Sequence, residues 1–194
     1  MPALVISVTP ERFGDSRDTY PFPGAEDHDL VITQRVLESS VTAVGDALAS
    51  MFFAAMVIRT LPNESAKCGR VWMHSNPPYF TSQASSWLVS KGCRHVLVDL
   101  PSVDRTDDGG LLDAHRTFFR LPNTVDIKQP LGTTLIDALE RCTVTELCFV
   151  PDHAEDGPYM LHLGIAPFGL DAAPCRPVLS RVTEIDPGTT QPRG

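Results

Sequence analysis

Positive charge is scarce in this chain. Its 194 residues hold 16 Lys and Arg against 24 Asp and Glu, for a net charge of -8 and a pI near 5.1. The lack of clustered basic residues argues against nucleic acid or an anionic membrane surface as partner. Long apolar runs are missing as well, and none approaches the roughly 18–20 residues that a membrane-crossing helix requires. The apolar run Leu4 to Val8 has no basic segment ahead of it, which makes a poor signal peptide. Cysteine occurs five times (Cys68, Cys93, Cys142, Cys148, Cys175), an odd number without a C-x-x-C pair. Free thiols and a cytoplasmic location are therefore expected. The six histidines (His28, His74, His95, His115, His153, His162) show neither H-x-x-H nor H-x-x-x-H spacing, so no two close in sequence can clamp one ion. Ser102 stands outside a G-x-S-x-G elbow, Gly109-Gly110 follows carboxylates rather than a strand, and no internal repeat is present.

What is there is enough apolar text for one α/β domain. Hydrophobic residues make up 42%, and we expect a single domain over residues 1–185 with a disordered tail at 186–194. Leu4 to Val8 predicts a strand, and the Pro-, Gly- and Asp-rich stretch 13–29 a flexible loop. Thr33 is a candidate N-cap for a helix with apolar positions Val36, Leu37, Val41, Val44 and Leu48, weakened by Gly45. Phe52 to Ile58 reads as a buried strand. Thr81 caps a helix carrying Ala84, Trp87 and Leu88, which closes at Lys91-Gly92. Val96 to Leu100 is a strand apolar on both faces, and the three elements make a βαβ unit. Further helical turns are expected over Thr133 to Arg141, and strands over Thr143 to Val150 and Tyr159 to Ala166, with a last strand near Val178.

The chemistry gathers after the Val96 strand. In an α/β sheet the loop leaving a strand's carboxyl end is where ligands bind, and here that loop carries Asp99, Ser102, Asp104, Asp107 and Asp108 before His115. Asp107 and Asp108 read as a solvated surface, and His95 as structural. Alternation over Thr143 to Val150 puts Cys142, Val144, Glu146 and Cys148 on one face. A carboxylate among such neighbours needs a cation, a metal or a donor network. His115 packing in its loop and Glu146 pairing with an arginine remain open alternatives.

Several short motifs, taken in order, carry a family resemblance: Arg59-Thr60-Leu61-Pro62-Asn63, Asn76-Pro77-Pro78-Tyr79, Asp99-Leu100-Pro101-Ser102-Val103-Asp104, Leu112-Asp113-Ala114-His115, Thr145-Glu146 and Ile165-Ala166-Pro167-Phe168. As an ordered set over residues 50 to 180 this text resembles the cyclase family of metal-dependent hydrolases, to which the bacterial-type kynurenine formamidases belong. The resemblance implies a swivelling β/β/α fold with a mixed sheet flanked by helices, a divalent metal (zinc or manganese), a small-molecule amide substrate and a homo-oligomer. It implies that His115 and Glu146 are metal ligands and that Ser102 and Asp104 are catalytic residues shaping or supporting the site. The implied reaction is arylformamidase-like: N-formylkynurenine and water give kynurenine and formate, a step of tryptophan catabolism. One family motif, His-x-Gly-Thr-His-x-Asp, is absent, so the text looks like the later two thirds of such an enzyme. Two expectations follow: a metal-dependent amidohydrolase at the level of the parent protein, and a folded binding or structural module without the chemistry for this polypeptide.

Overall fold

Pro2–Val8 (β1) is the strand about which the fold is laid down. Ala3, Leu4, Val5 and Ile6 are each 0% exposed, so both faces of the strand are covered, as near-continuous apolar text demands. In the computed structural model, which describes residues 1–21, 24–49, 53–72, 75–121, 142–170 and 172–182, β1 is flanked by Ala55–Thr60 (β4), parallel, and Gly157–Ile165 (β8), antiparallel. His95–Val98 (β6) and Thr143–Thr145 (β7) extend the parallel side, and Cys175–Arg181 (β9) the antiparallel side. The order is β7-β6-β4-β1-β8-β9. Glu11–Arg12 (β2), Leu30–Ile32 (β3) and Tyr79–Phe80 (β5) form a second, three-stranded sheet in the order β2-β3-β5.

The helices start where the sequence supplies a cap. Thr33 Oγ1 accepts the N–H of Val36 at 3.2 Å at the head of Gln34–Val44 (α1), and Thr81 Oγ1 accepts that of Ala84 at 3.2 Å before Ser82–Ser90 (α3). Gly45, at φ 142°, ends α1, and Asp46–Ala49 (α2) follows as a separate turn, so Leu48 belongs to a different element from Val36 and Val41. Asp113–Phe118 (α4) is the last helix among the described residues.

Two cores lie on the two faces of the main sheet. On one, Leu4, Ile6, Met56, Ile58, Val96 and Val98 pack with Leu37, Leu88, Ala114 and Phe118 from the helices. On the other, Ala3, Val5, Val57 and Leu97 meet Val150, Ala154, Tyr159 and Leu161. The result is a curled mixed sheet flanked by helices, the α/β class expected. Each fully buried Leu, Ile or Val contributes about 1.5–3 kcal/mol of hydrophobic stabilisation.

Three expectations change. The strand anticipated over Thr143 to Val150 stops at Thr145, because Leu147 turns the chain at φ 55°. The alternation is broken there: Cys142 and Val144 pack against the helix-side core, while Cys148 reaches the opposite one. Asp108, read as solvated, is only 5% exposed. The described residues of the stretch 13–29 are largely irregular and include the buried Tyr20 and Asp29. Helical turns over Thr133 to Arg141 and the tail at 186–194 lie outside the described residues.

Candidate functional site

Strands β1, β4, β6 and β7 all run one way, so their carboxyl ends collect at one edge of the sheet. At that edge Asp99 accepts the N–H of Thr60 at 3.1 Å and its hydroxyl at 2.9 Å, tying the loops after β4 and β6 together. Glu146 leaves the end of β7 on the same side. Its Oε1 accepts the N–H of Val103 at 3.0 Å.

His115 sits in the first turns of α4, and Asp104 puts it there. Asp104 is 2% exposed and accepts the backbone N–H of Ala114 at 2.6 Å and of His115 at 3.2 Å, taking up orphan donors at the helix start. Its Oδ2 also faces His115 Nδ1 at 2.6 Å, and Nε2 on the far side of the ring stands 3.3 Å from Glu146 Oε1. The imidazole is thus held between two carboxylates. Burial disfavours its charged form, but the hydrogen bonds and charges of Asp104 and Glu146 outweigh that and push its pKa up to about 9. Asp104 moves the other way: burial opposes ionisation, yet His115 and the Ala114 N–H hold its carboxyl below the usual range. Ser102 Oγ accepts the N–H of Asp104 at 3.1 Å, so it braces the turn that carries Asp104.

Beside the pair lies a cleft of about 560 Å³, lined by His115, Glu146, Phe119, Val144, Phe168 and Cys175 among others. Its lining is mixed, with Thr143 and Thr145 beside the ionisable pair and apolar side chains such as Phe119, Val144 and Phe168. Cys148 lies outside its lining, and burial pushes that thiol up to about 11.

A second network backs the first. Asp29, 2% exposed, accepts from Arg105 Nε at 2.9 Å, Tyr79 OH at 2.9 Å and Asn76 Nδ2 at 2.6 Å. The Asn76-Pro77-Pro78-Tyr79 motif is therefore a clamp on Asp29. Tyr20 joins the two networks, its hydroxyl donating to Asp104 Oδ1 at 3.0 Å and accepting the N–H of Arg105 at 3.2 Å. Sequence reasoning missed Tyr20, which stands with Phe13 and Phe22 as one of three aromatic residues in the 13–29 stretch and carries no further signal.

The Asp29 network yields a pH prediction. Burial works against the Asp29 carboxylate, but Arg105 and the other donors prevail and lower its pKa. A lowered folded pKa gives stability that is present above the ordinary carboxylate range and lost as pH falls through the folded value. Asp29→Asn should cost about 2 kcal/mol at neutral pH. The gap from wild type should close below the ordinary carboxylate range; urea titrations across pH 2 to 7 check it.

Whether these residues suit a metal can be judged from their geometry. A metal-ligating histidine commonly donates its other ring N–H to a carboxylate, and Asp104 stands in that place. Two donors about 2.0–2.1 Å from one tetrahedral ion are about 3.3 Å apart, the separation of Nε2 and Oε1 here, 3.3 Å. The pair fits two corners of a site. Among the described residues, no group of three or more His, Cys, Asp and Glu is placed to hold an ion.

No protein-family model matches the chain, and no curated protein matches it. Solved structures do. That of a predicted metal-dependent hydrolase from Bacillus stearothermophilus superposes at TM-score 0.51 and 16% identity, covering 92% of this chain and 62% of that one. That of a potential metal-dependent hydrolase with cyclase activity gives TM-score 0.51 and 17% identity, covering 92% and 63%. The likeness shows the fold. This chain spans less than two thirds of either structure. Among the described residues, no helix is long and apolar enough to cross a membrane.

Proposed function

We propose that this chain carries part of the metal site of a cytoplasmic metal-dependent hydrolase acting on a C–N bond of a small amide. The observation that carries the reading is Asp104–His115–Glu146: an oriented imidazole whose outer nitrogen stands beside a carboxylate at ligand spacing. His115 and Glu146 would hold the ion, zinc or manganese, and Asp104 would fix the imidazole. When bound, such an ion supplies hydroxide at neutral pH and polarises an amide carbonyl. The cleft would take the body of the substrate, with Phe119, Val144 and Phe168 as its apolar contacts. The finer reading is arylformamidase activity on N-formylkynurenine, which offers an aromatic ring to that cleft. A second copy of the chain, in a homo-oligomer, is one source of the further ligands.

The second reading, a folded binding or structural module without catalysis, is favoured by the two-ligand geometry, since catalytic metal sites use three protein ligands. Elemental analysis and zinc titration of the purified chain, with N-formylkynurenine hydrolysis followed alongside, separate the two. Stoichiometric metal is expected, with His115→Ala or Glu146→Ala weakening it by more than the roughly 10–100-fold that loss of an outer partner costs. Neither metal nor turnover would leave the module reading standing.

A further inference from the structure

We infer that Tyr20 is a positioning residue for His115, acting through Asp104. The inference rests on the reading of His115 as a metal ligand for its consequence, and on hydrogen-bond geometry for its substance. Asp104 has two oxygens with divided duties. Oδ2 faces His115 Nδ1 at 2.6 Å, while Oδ1 receives the Ala114 N–H at 2.6 Å and the Tyr20 hydroxyl at 3.0 Å. Without the phenol, the carboxylate is held by α4 through the Ala114 N–H, the His115 N–H at 3.2 Å and the His115 ring, and its tilt is no longer pinned from the 13–29 loop. With it, the plane of the carboxylate is set, and so is the ring plane of His115, which decides where Nε2 points.

Tyr20 is built to hold that place. It is 6% exposed. Its ring meets Tyr79 edge-on, with centroids 4.8 Å apart and planes at 61°, a favoured aromatic arrangement. The Arg105 N–H donated to its oxygen orients the hydroxyl proton away from Arg105 and toward Asp104. Asp108 Oδ2, at 3.4 Å, is the weaker alternative acceptor. Burial, then the charge of Asp104, pushes the phenol's pKa well above its ordinary value, so it remains a donor throughout the working pH range. The loop 13–29 thereby connects to a site 95 positions further along the chain, counting from Tyr20 to His115.

The test compares Tyr20→Phe with Tyr79→Phe. Both remove one buried hydroxyl that donates to a carboxylate, but only Tyr20 touches Asp104. Tyr20→Phe should weaken zinc binding about tenfold, the low end for an outer partner, and Tyr79→Phe should leave it near wild type. In the metal-free chain at pH 7, the downfield ring N–H resonance that disappears in His115→Gln should shift or broaden in Tyr20→Phe and persist in Tyr79→Phe. Equal zinc affinity and an unchanged His115 resonance in Tyr20→Phe would overturn the inference. If wild type takes up no zinc, the metal reading falls, while the resonance still decides Tyr20. Should Tyr20→Phe fail to fold, uniform 3-fluorotyrosine labelling gives one signal for each of the 3 tyrosines. His115→Gln must then move the Tyr20 signal and leave that of Tyr159 in place; an unmoved Tyr20 signal sinks the proposal.

Discussion

Asp104→Ala is expected to lower stability by about 3 kcal/mol, the low end for stripping one partner from a buried ionic network. That corresponds to roughly 6–12 °C in Tm for a chain of this size. The carboxylate holds partners from two elements at once: the Tyr20 hydroxyl from the 13–29 loop, and from α4 both the first N–H groups and the His115 ring. Alanine leaves the buried Tyr20 hydroxyl and the helix donors to find new partners, and an unsatisfied buried polar group costs about 1–3 kcal/mol. Asp104→Asn offers a sharper comparison. Its amide oxygen can still serve the helix donors, so the thermal loss should be smaller. Its amide nitrogen can neither accept from His115 Nδ1 nor carry the charge. Zinc affinity should therefore fall nearly as far in Asp104→Asn as in Asp104→Ala, while Tm separates them. Calorimetry and zinc titration on both variants check this; a Tm change within about 2 °C of wild type for Asp104→Ala would mean that the helix start finds other acceptors.

How much of this was legible in the sequence depends on how local the cause is. Strands β1, β4 and β6 were readable because a strand buried on both faces must be written in Val, Ile, Leu and Ala. Thr33 and Thr81 were readable as caps because the cap and the N–H it accepts lie three residues apart. Helix α4 was not, since six residues are too few to display a 3.6-residue period. The end of β7 was missed because it depends on one φ of 55° at Leu147, a residue that rarely takes that conformation. Asp108 looked solvated beside Asp107 and Gly109. It is buried because it receives the N–H groups of Gly110 and Leu112 at 2.8 and 2.7 Å, a local turn that charge counting cannot see. At the site, the need of Glu146 for a partner could be argued from burial, and the structure places His115 beside it. Tyr20 could not be found, because its acceptor is 84 residues away and nothing in an irregular stretch fixes which contact an aromatic residue will make.

Lys67→Met should be the most damaging single change at the sheet edge, costing about 3–5 kcal/mol. The Lys67 side chain is 5% exposed, and the Asp99 carboxylate facing it at 2.9 Å is 0% exposed. The ammonium also donates to the carbonyl and the hydroxyl of Thr60, so its three N–H groups are all used. Methionine fills similar volume but carries no charge. Asp99 would be left with the Thr60 N–H and hydroxyl alone, a carboxylate in the core without a cation. The remedy identifies the cause. In Lys67→Met/Asp99→Asn the uncompensated charge is gone, and the asparagine oxygen can still accept from Thr60. The double variant should recover a large part of the loss, with a coupling energy in the 0.5–3 kcal/mol range of contacting groups. Urea unfolding of wild type, both single variants and the double variant closes the cycle. Additive losses would show that Lys67 acts through its packing. A rescued double variant would show that charge balance at the carboxyl ends of β4 and β6, where Thr60 and Asp99 tie the two loops, is what holds the edge that carries Glu146 and His115.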